Sequence, residues 1–139
     1  MLALKGCAAA YGELTVFRNV SLSFDAGDTA AIVGPSGSGK STLLSLLAGL
    51  LSPAAGEVLL SGRPVRAGDE RISLMFQDYG LFPWFTVLQN AAQGLKIRGV
   101  PPLAAEERAR GELVRLGLDD KEDRYPAEIS GGERQRVAL

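Results

Sequence analysis

Apolar and polar positions alternate most regularly at residues 20 to 24, where Val20, Leu22 and Phe24 are separated by Ser21 and Ser23. That period of two predicts a half-buried strand, closed by the turn formers Asp25-Ala26-Gly27-Asp28. Leu2 and Leu4 open a looser alternation over residues 2 to 9, and Tyr11-Gly12 marks the turn between the two segments. Further on, continuous apolar runs replace alternation. Thr29 to Val33 and Ile72 to Phe76 each predict a buried strand, and Val58 to Leu60 a shorter one. The leucine-rich stretch from Leu43 to Leu51 predicts a helix. Ser52 to Gly56 and Ser61 to Pro64 are loops and turns. From Val87 to Pro126 the character is helical. Pro101-Pro102 starts a helix with an apolar stripe of Leu103, Leu113, Val114 and Leu116, and Gly117 is its C′ residue.

Between the run ending at Val33 and the leucine helix lies Gly34-Pro35-Ser36-Gly37-Ser38-Gly39-Lys40-Ser41-Thr42. The spacing Gly-x-x-x-x-Gly-Lys-Ser between a strand and a helix is that of a phosphate-binding loop. The glycines permit backbone angles that turn successive N–H groups inward on an anion. The helix that follows adds the positive end of its dipole. Lys40 can then reach the β- and γ-phosphates of a nucleoside triphosphate, and the Ser41 hydroxyl can bind Mg²⁺.

Composition narrows the partners. The chain has 139 residues, enough for one domain with a core, and 15 basic against 16 acidic residues. A net charge of −1 provides no global basic field for nucleic acid, and the pairs Arg108/Arg110 and Arg134/Arg136 are expected to lie on solvated faces. Cys7 is the single cysteine, so no intrachain disulfide forms, and inert packing is expected of it. The N-terminus has no basic segment leading into a long apolar core, so no signal peptide is expected. Leu43 to Leu51 is too short to span a bilayer, so membrane association is expected through a partner.

Three other groups of residues carry chemistry. Gln77 and Asp78 end the apolar run at Phe76, where phosphate-loop proteins hold Mg²⁺ or its water, and spacing alone does not rank the two. Tyr79-Gly-Leu-Phe-Pro-Trp-Phe-Thr86 is an aromatic cluster of neither strand nor helix period; it reads equally as a satellite core or as a docking surface. Ser130-Gly131-Gly132-Glu133 is a capping box that begins a helix, and its two glycines open first-turn N–H groups to an anion. Leu139 is reached about two turns into that helix without a C-terminal signal, which suggests the N-terminal part of a longer chain. Tyr11 reads first as packing on the flap formed by the two leading strands.

Phosphate loop, strand-end glutamine and Ile-Ser-Gly-Gly-Glu helix start, in that order, resemble the ATP-binding subunit of ABC transporters over essentially the whole chain. The Phe-Pro-Trp segment is most similar to importers of the nitrate, sulfonate and taurine group. The resemblance implies an α/β fold, a phosphate-loop NTPase core with an N-terminal antiparallel β flap and a helical subdomain, the C-terminal part of the cassette lying beyond Leu139. It divides residues 1–139 into the flap (1–28), the core (29–78), the helical subdomain with a permease-docking loop (79–128) and the signature motif (129–139). Residues Gly34 to Thr42 are then Walker A, Tyr11 the aromatic stacked on adenine, and Gln77 the Q-loop glutamine, contacting Mg²⁺ and the attacking water. Ser130 to Glu133 resembles the signature motif, which acts in trans on the ATP of a second, head-to-tail subunit. Glu133 stands where glutamine is the common form and brings a negative charge.

The implied cofactors are ATP and Mg²⁺. The implied partners are a second ATPase subunit, a transmembrane permease docking near Tyr79, Leu81, Phe82 and Trp84, and indirectly a solute-binding protein, with no nucleic acid. The implied location is peripheral, on the cytoplasmic face of the inner membrane. The family's Walker B strand, catalytic glutamate and switch histidine lie beyond the signature helix, and this sequence contains no histidine. The whole subunit is therefore expected to hydrolyse ATP and couple it to solute import, while this chain alone is expected to bind ATP and turn it over poorly. Competing readings are a soluble ABC-type ATPase of DNA repair or translation, a small kinase using Asp78, and a non-catalytic nucleotide-binding fragment. Zinc-ligand cysteines, basic grooves or a second cassette would favour the soluble ATPase.

Overall fold

The computed structural model describes residues 1–139, which divide into two compact units, Met1–Leu74 and Met75–Leu139. The first unit is built on an antiparallel sheet. Strand β1 (Leu2–Tyr11) pairs with β2 (Leu14–Phe24) on one side and β3 (Ala55–Leu60) on the other. A two-residue strand β4 (Arg63–Pro64) closes the far edge, giving the order β2-β1-β3-β4. Leu4 sits opposite Leu22 in one ladder and opposite Val58 in the other. As the central strand, β1 buries Leu4, Cys7 and Ala9. The Cys7 thiol donates to the Glu57 carbonyl at 3.2 Å, which is consistent with inert packing. Helix α1 (Lys40–Leu47) covers the sheet with Leu43, Leu46 and Leu47, at the i, i+3, i+4 spacing of one helical face.

Neither Thr29 to Val33 nor Ile72 to Phe76 forms a strand. An apolar run becomes a strand only by pairing, and all three ladders of the sheet are made by β1, β2, β3 and β4. Val33 is 88% exposed.

The second unit is helical. Helix α2 (Val87–Ile97) is held at its start by a capping box: the Thr86 hydroxyl accepts from the Gln89 N–H, and the Gln89 side chain accepts from the Thr86 N–H. Helix α3 (Pro102–Arg115) begins with proline at its first position, and Gly117 follows it at φ 65°. Two short 3₁₀ turns, Asp119–Lys121 and Pro126–Glu128, lead into α4 (Gly131–Val137). The core joins Val87, Leu88 and Ala92 to Ala105, Ala109 and Leu113, with Leu118, Ile129 and Val137.

The buried face of α3 differs from the expected stripe. Leu113 is buried as expected, but Ala105 and Ala109, four and eight residues before it, complete its row, so Leu103 and Val114 project outward. Small residues on the row let α2 approach closely. The arginine pairs also do more than face solvent. Arg110 pairs with Glu122 at 2.9 Å, and the Arg136 guanidinium donates to the Leu116 carbonyl at 3.0 Å, satisfying the end of α3.

Candidate functional site

In the first unit, the chain leaves β2 and reaches α1 through the phosphate loop. Gly37 and Gly39 hold φ values of 80° and 91°, in the left-handed region. Gly39 is also the N-cap of α1, and a Cβ there would stand 2.8 Å from the Val16 methyl on β2. Only glycine satisfies both the angle and the contact, so the loop is clamped between the sheet and the helix. No side chain caps α1, and no carboxylate lies in its first turn. Its leading N–H groups and its dipole therefore face outward uncompensated.

Electrostatics reinforce this. Residues 29 to 51 contain no acidic side chain. The Lys40 ammonium folds back over the loop, donating to the carbonyls of Gly34 at 3.0 Å and Pro35 at 2.7 Å. The Ser38 N–H donates to the Pro35 carbonyl at 3.3 Å, closing the turn beneath. The loop borders a hollow of about 330 Å³ lined by Phe17, Val20, Gly34, Ser38, Lys40 and Leu43. A basic, donor-rich concavity at a helix start is suited to the phosphates of a nucleotide. Tyr11, at the end of β1 in the same unit, is 52% exposed, so its ring is not consumed by the core.

Gln77 and Asp78 belong to the second unit, both exposed in the irregular segment before α2. The next residues form a tight turn: Tyr79 and Gly80 hold φ values of 66° and 64°, and the Tyr79 N–H donates to the Phe76 carbonyl at 3.0 Å. Phe82, Trp84 and Phe85 then form a tilted cluster with centroids 5.3 to 6.3 Å apart. Trp84 is 66% exposed, so the cluster is a surface rather than a satellite core. Asn90 fixes it from α2. Its Oδ1 accepts from the Phe82 N–H at 2.8 Å, and its Nδ2 donates to the carbonyls of Phe82 at 3.1 Å and Phe85 at 3.0 Å. Sequence reasoning missed Asn90; a polar residue of poor helix propensity inside α2 was the available signal.

The segment from Ser130 to Glu133 forms the expected capping box at the start of α4. The Ser130 hydroxyl accepts from the Glu133 N–H at 3.3 Å, and the Glu133 carboxylate accepts from the Ser130 N–H at 2.7 Å. The Tyr79 hydroxyl lies 3.9 Å from where a Cβ on Gly131 would stand. The Ser130 backbone and side-chain hydrogen bonds, aided by Lys121 and Arg136, hold the Glu133 carboxyl below its ordinary value of 4.5.

A group depressed in this way stabilises the fold fully above its ordinary value, and that contribution is lost as pH falls through the lowered one. The melting-temperature advantage of the wild type over Glu133→Gln should therefore be present at about pH 6 and shrink toward about pH 3. Ser130→Ala, which removes the hydroxyl acceptor, should cost about 1 kcal/mol by denaturant unfolding at neutral pH. An unchanged midpoint would show that the cap does not hold α4.

Comparison with known proteins covers both units. The sequence pattern of the family described as ABC transporter matches residues 17–139. The Fe(3+) ions import ATP-binding protein FbpC of Brucella abortus (strain 2308) is 43% identical over 132 residues, covering 93% of this chain and 37% of that protein. The aliphatic sulfonates import ATP-binding protein SsuB of Pseudomonas putida (strain KT2440) is 44% identical over 138 residues, covering 99% of this chain and 49% of that protein. Among solved structures, one described as the dimeric post-hydrolysis state of the ATP-binding cassette MJ0796 bound to ADP and Pi aligns with a TM-score of 0.81 at 30% identity. That alignment covers 99% of this chain and 67% of the cassette. The chain thus spans about half or less of the length of these two import proteins.

Proposed function

The chain belongs to the ABC transporter family, and from that premise we propose that it is part of the ATP-binding, energy-coupling subunit of an importer. The observation that carries this reading is the phosphate loop, with Lys40 drawn across it and the uncapped start of α1 behind it. In this reading the N–H groups of Gly34, Ser36, Gly37, Ser38 and Gly39, and those onward to Thr42, cradle the phosphates, while Pro35, which has no N–H, shapes the turn. Lys40 exchanges its two carbonyl contacts for phosphate oxygens. The donor set fits the group, since no carboxylate stands in the loop to repel a polyanion. The Ser41 hydroxyl would hold Mg²⁺. Bound ATP supplies the interaction energy that closes two subunits, and its hydrolysis, a property of the whole subunit, reopens them.

Ser130, Gly131, Gly132 and Glu133 would meet the nucleotide of a second, head-to-tail subunit; that solved structures similar to this chain are described as dimeric supports the pairing of two subunits. Because the Glu133 carboxylate is held by the Ser130 N–H, its charge is drawn back onto its own helix. The exposed segment of Tyr79, Leu81, Phe82 and Trp84, clamped by Asn90, would dock a transmembrane permease. Relatives at 42% to 44% identity are named for Fe(3+), sulfate/thiosulfate, sn-glycerol-3-phosphate and aliphatic sulfonates, which supports an importer subunit without singling out one solute. No helix is long and apolar enough to cross a membrane, and the subunit would act at the cytoplasmic face of the inner membrane.

Tyr11 provides the test of the base-binding half of the site. Tyr11→Ala should weaken ATP binding about tenfold while leaving tripolyphosphate binding unchanged, because only the nucleotide has a base to stack. Calorimetric titration of both ligands reads the difference. Equal ATP affinity in the two proteins would remove Tyr11 from the site.

A further inference from the structure

Three residues other than glycine hold a left-handed backbone angle: Asn19, Ser61 and Tyr79. Asparagine tolerates that region, and Ser61 lies in the tight turn between β3 and β4. Tyrosine at φ 66° is the outlier. A bulky side chain keeps such an angle only where its surroundings fix it.

The angle reverses the chain so that the Tyr79 N–H reaches the Phe76 carbonyl, and it sends the side chain inward. Phe76, Gln77, Asp78 and Gly80 are exposed, whereas Tyr79 between them is half-buried. Its ring takes no part in the cluster of Phe82, Trp84 and Phe85. Its hydroxyl points instead at the start of α4. Beyond the helix backbone and adjacent residues, it is the one atom within 4 Å of the Cβ position of Gly131, at 3.9 Å, and the Cβ position of Gly132 has none. Leu81 also turns onto the helical core, while Phe82 and Trp84 face out. The segment is two-sided.

Helix α4 needs support from outside. It has seven residues, and glycine fills its first two positions, so it is marginal alone. Ile129 and Val137 anchor its flanks in the core. Between them the first-turn glycines have no side chain to pack, and Tyr79 supplies the contact from the aromatic segment. We propose that Tyr79 is a positioning residue that ties this segment to the Ser130–Glu133 turn, so that loosening one end loosens the other. That the turn meets a nucleotide and the segment a permease rests on the function proposed above; the tie itself is a property of the free chain.

The test is amide hydrogen exchange of the chain without nucleotide, together with the fluorescence anisotropy decay of Trp84, the only tryptophan in the sequence. Tyr79→Asn removes the ring but places there a residue that tolerates the left-handed angle. Exchange at the Glu133 N–H, which donates to the Ser130 hydroxyl, should quicken about fivefold while the amides of α3 stay unchanged. Tyr79→Phe keeps ring and turn and should give a smaller change in the same direction. The second readout lies at the far end of the tie. Ser130→Ala, which opens the cap, should increase the local motion of Trp84, and that increase should vanish in Tyr79→Asn/Ser130→Ala. Unchanged Glu133 exchange in both Tyr79 variants would overturn the proposal. So would an equal loss of protection through α2, α3 and α4, which would make Tyr79 a general packing residue. A Trp84 response to Ser130→Ala that is absent, or that persists without the Tyr79 ring, would overturn it as well. None of these readouts depends on nucleotide binding, so they can fail while the phosphate-loop reading stands.

Discussion

Lys40→Ala should reduce the affinity of the chain for MgATP about a hundredfold, equivalent to about 2.7 kcal/mol. The size follows from what the ammonium can do in the loop. It already makes two hydrogen bonds to loop carbonyls, at 3.0 and 2.7 Å, so its side chain is ordered over the concavity before any ligand arrives. Phosphate oxygens are stronger acceptors than carbonyls and carry the opposite charge, so exchanging one pair for the other is favourable. Alanine leaves the backbone donors and the helix dipole in place, and weak phosphate binding should survive. The substitution touches no core residue, so the unfolding midpoint should stay within about 0.5 kcal/mol of the wild type. Equilibrium titration with a fluorescent ATP analogue reads the affinity, and thermal unfolding of the same samples reads the control. Undiminished affinity would move the nucleotide away from this loop.

The largest effect on stability is expected at Gly56, at the start of β3. Its φ is 80°, and a Cβ there would run into the carbonyl oxygens of Lys5 and Gly6 on β1. The left-handed angle alone costs an L-residue about 1–2 kcal/mol. The clash is worse, because both obstructing atoms are backbone in the central strand, which is paired on both sides and cannot yield without shifting the register of Lys5 and Ala8 against β3. Gly56→Ala should therefore lose about 3 kcal/mol or more, a large share of the stability of a small domain. Its unfolding midpoint in urea should fall sharply, whereas Gly12→Ala, where a Cβ meets nothing within 4 Å, should lose only the backbone cost of its angle. Similar losses at the two positions would mean that β1 and β3 do not approach as closely as described.

Local signals in the sequence survived in the structure where a single element could satisfy them. The alternation at Val20, Leu22 and Phe24 became a strand because β1 lies beside it. Ser130 and Glu133 became a capping box because both bonds close within one turn. Lys40 and the loop glycines were legible because their spacing is itself the mechanism. What failed depended on partners distant in sequence. Thr29 to Val33 has the composition of a buried strand, but composition cannot provide a ladder. Leu103 and Val114 were assigned to the buried stripe by hydrophobicity, yet Ala105 and Ala109 took those places because close packing of α3 against α2 favours small side chains. Asn90 had no motif to announce it, since its role lies in four hydrogen bonds to the aromatic segment and Thr86.

The central claim, that the loop from Gly34 to Thr42 binds the phosphates of ATP, is tested most directly by backbone amide resonances during a MgATP titration. Gly37, Gly39 and the first residues of α1 should shift saturably and with one dissociation constant, while the amides of Asp119 to Glu128 stay unmoved. Saturation with no shift at Gly37 and Gly39, or shifts confined to the second unit, would contradict it.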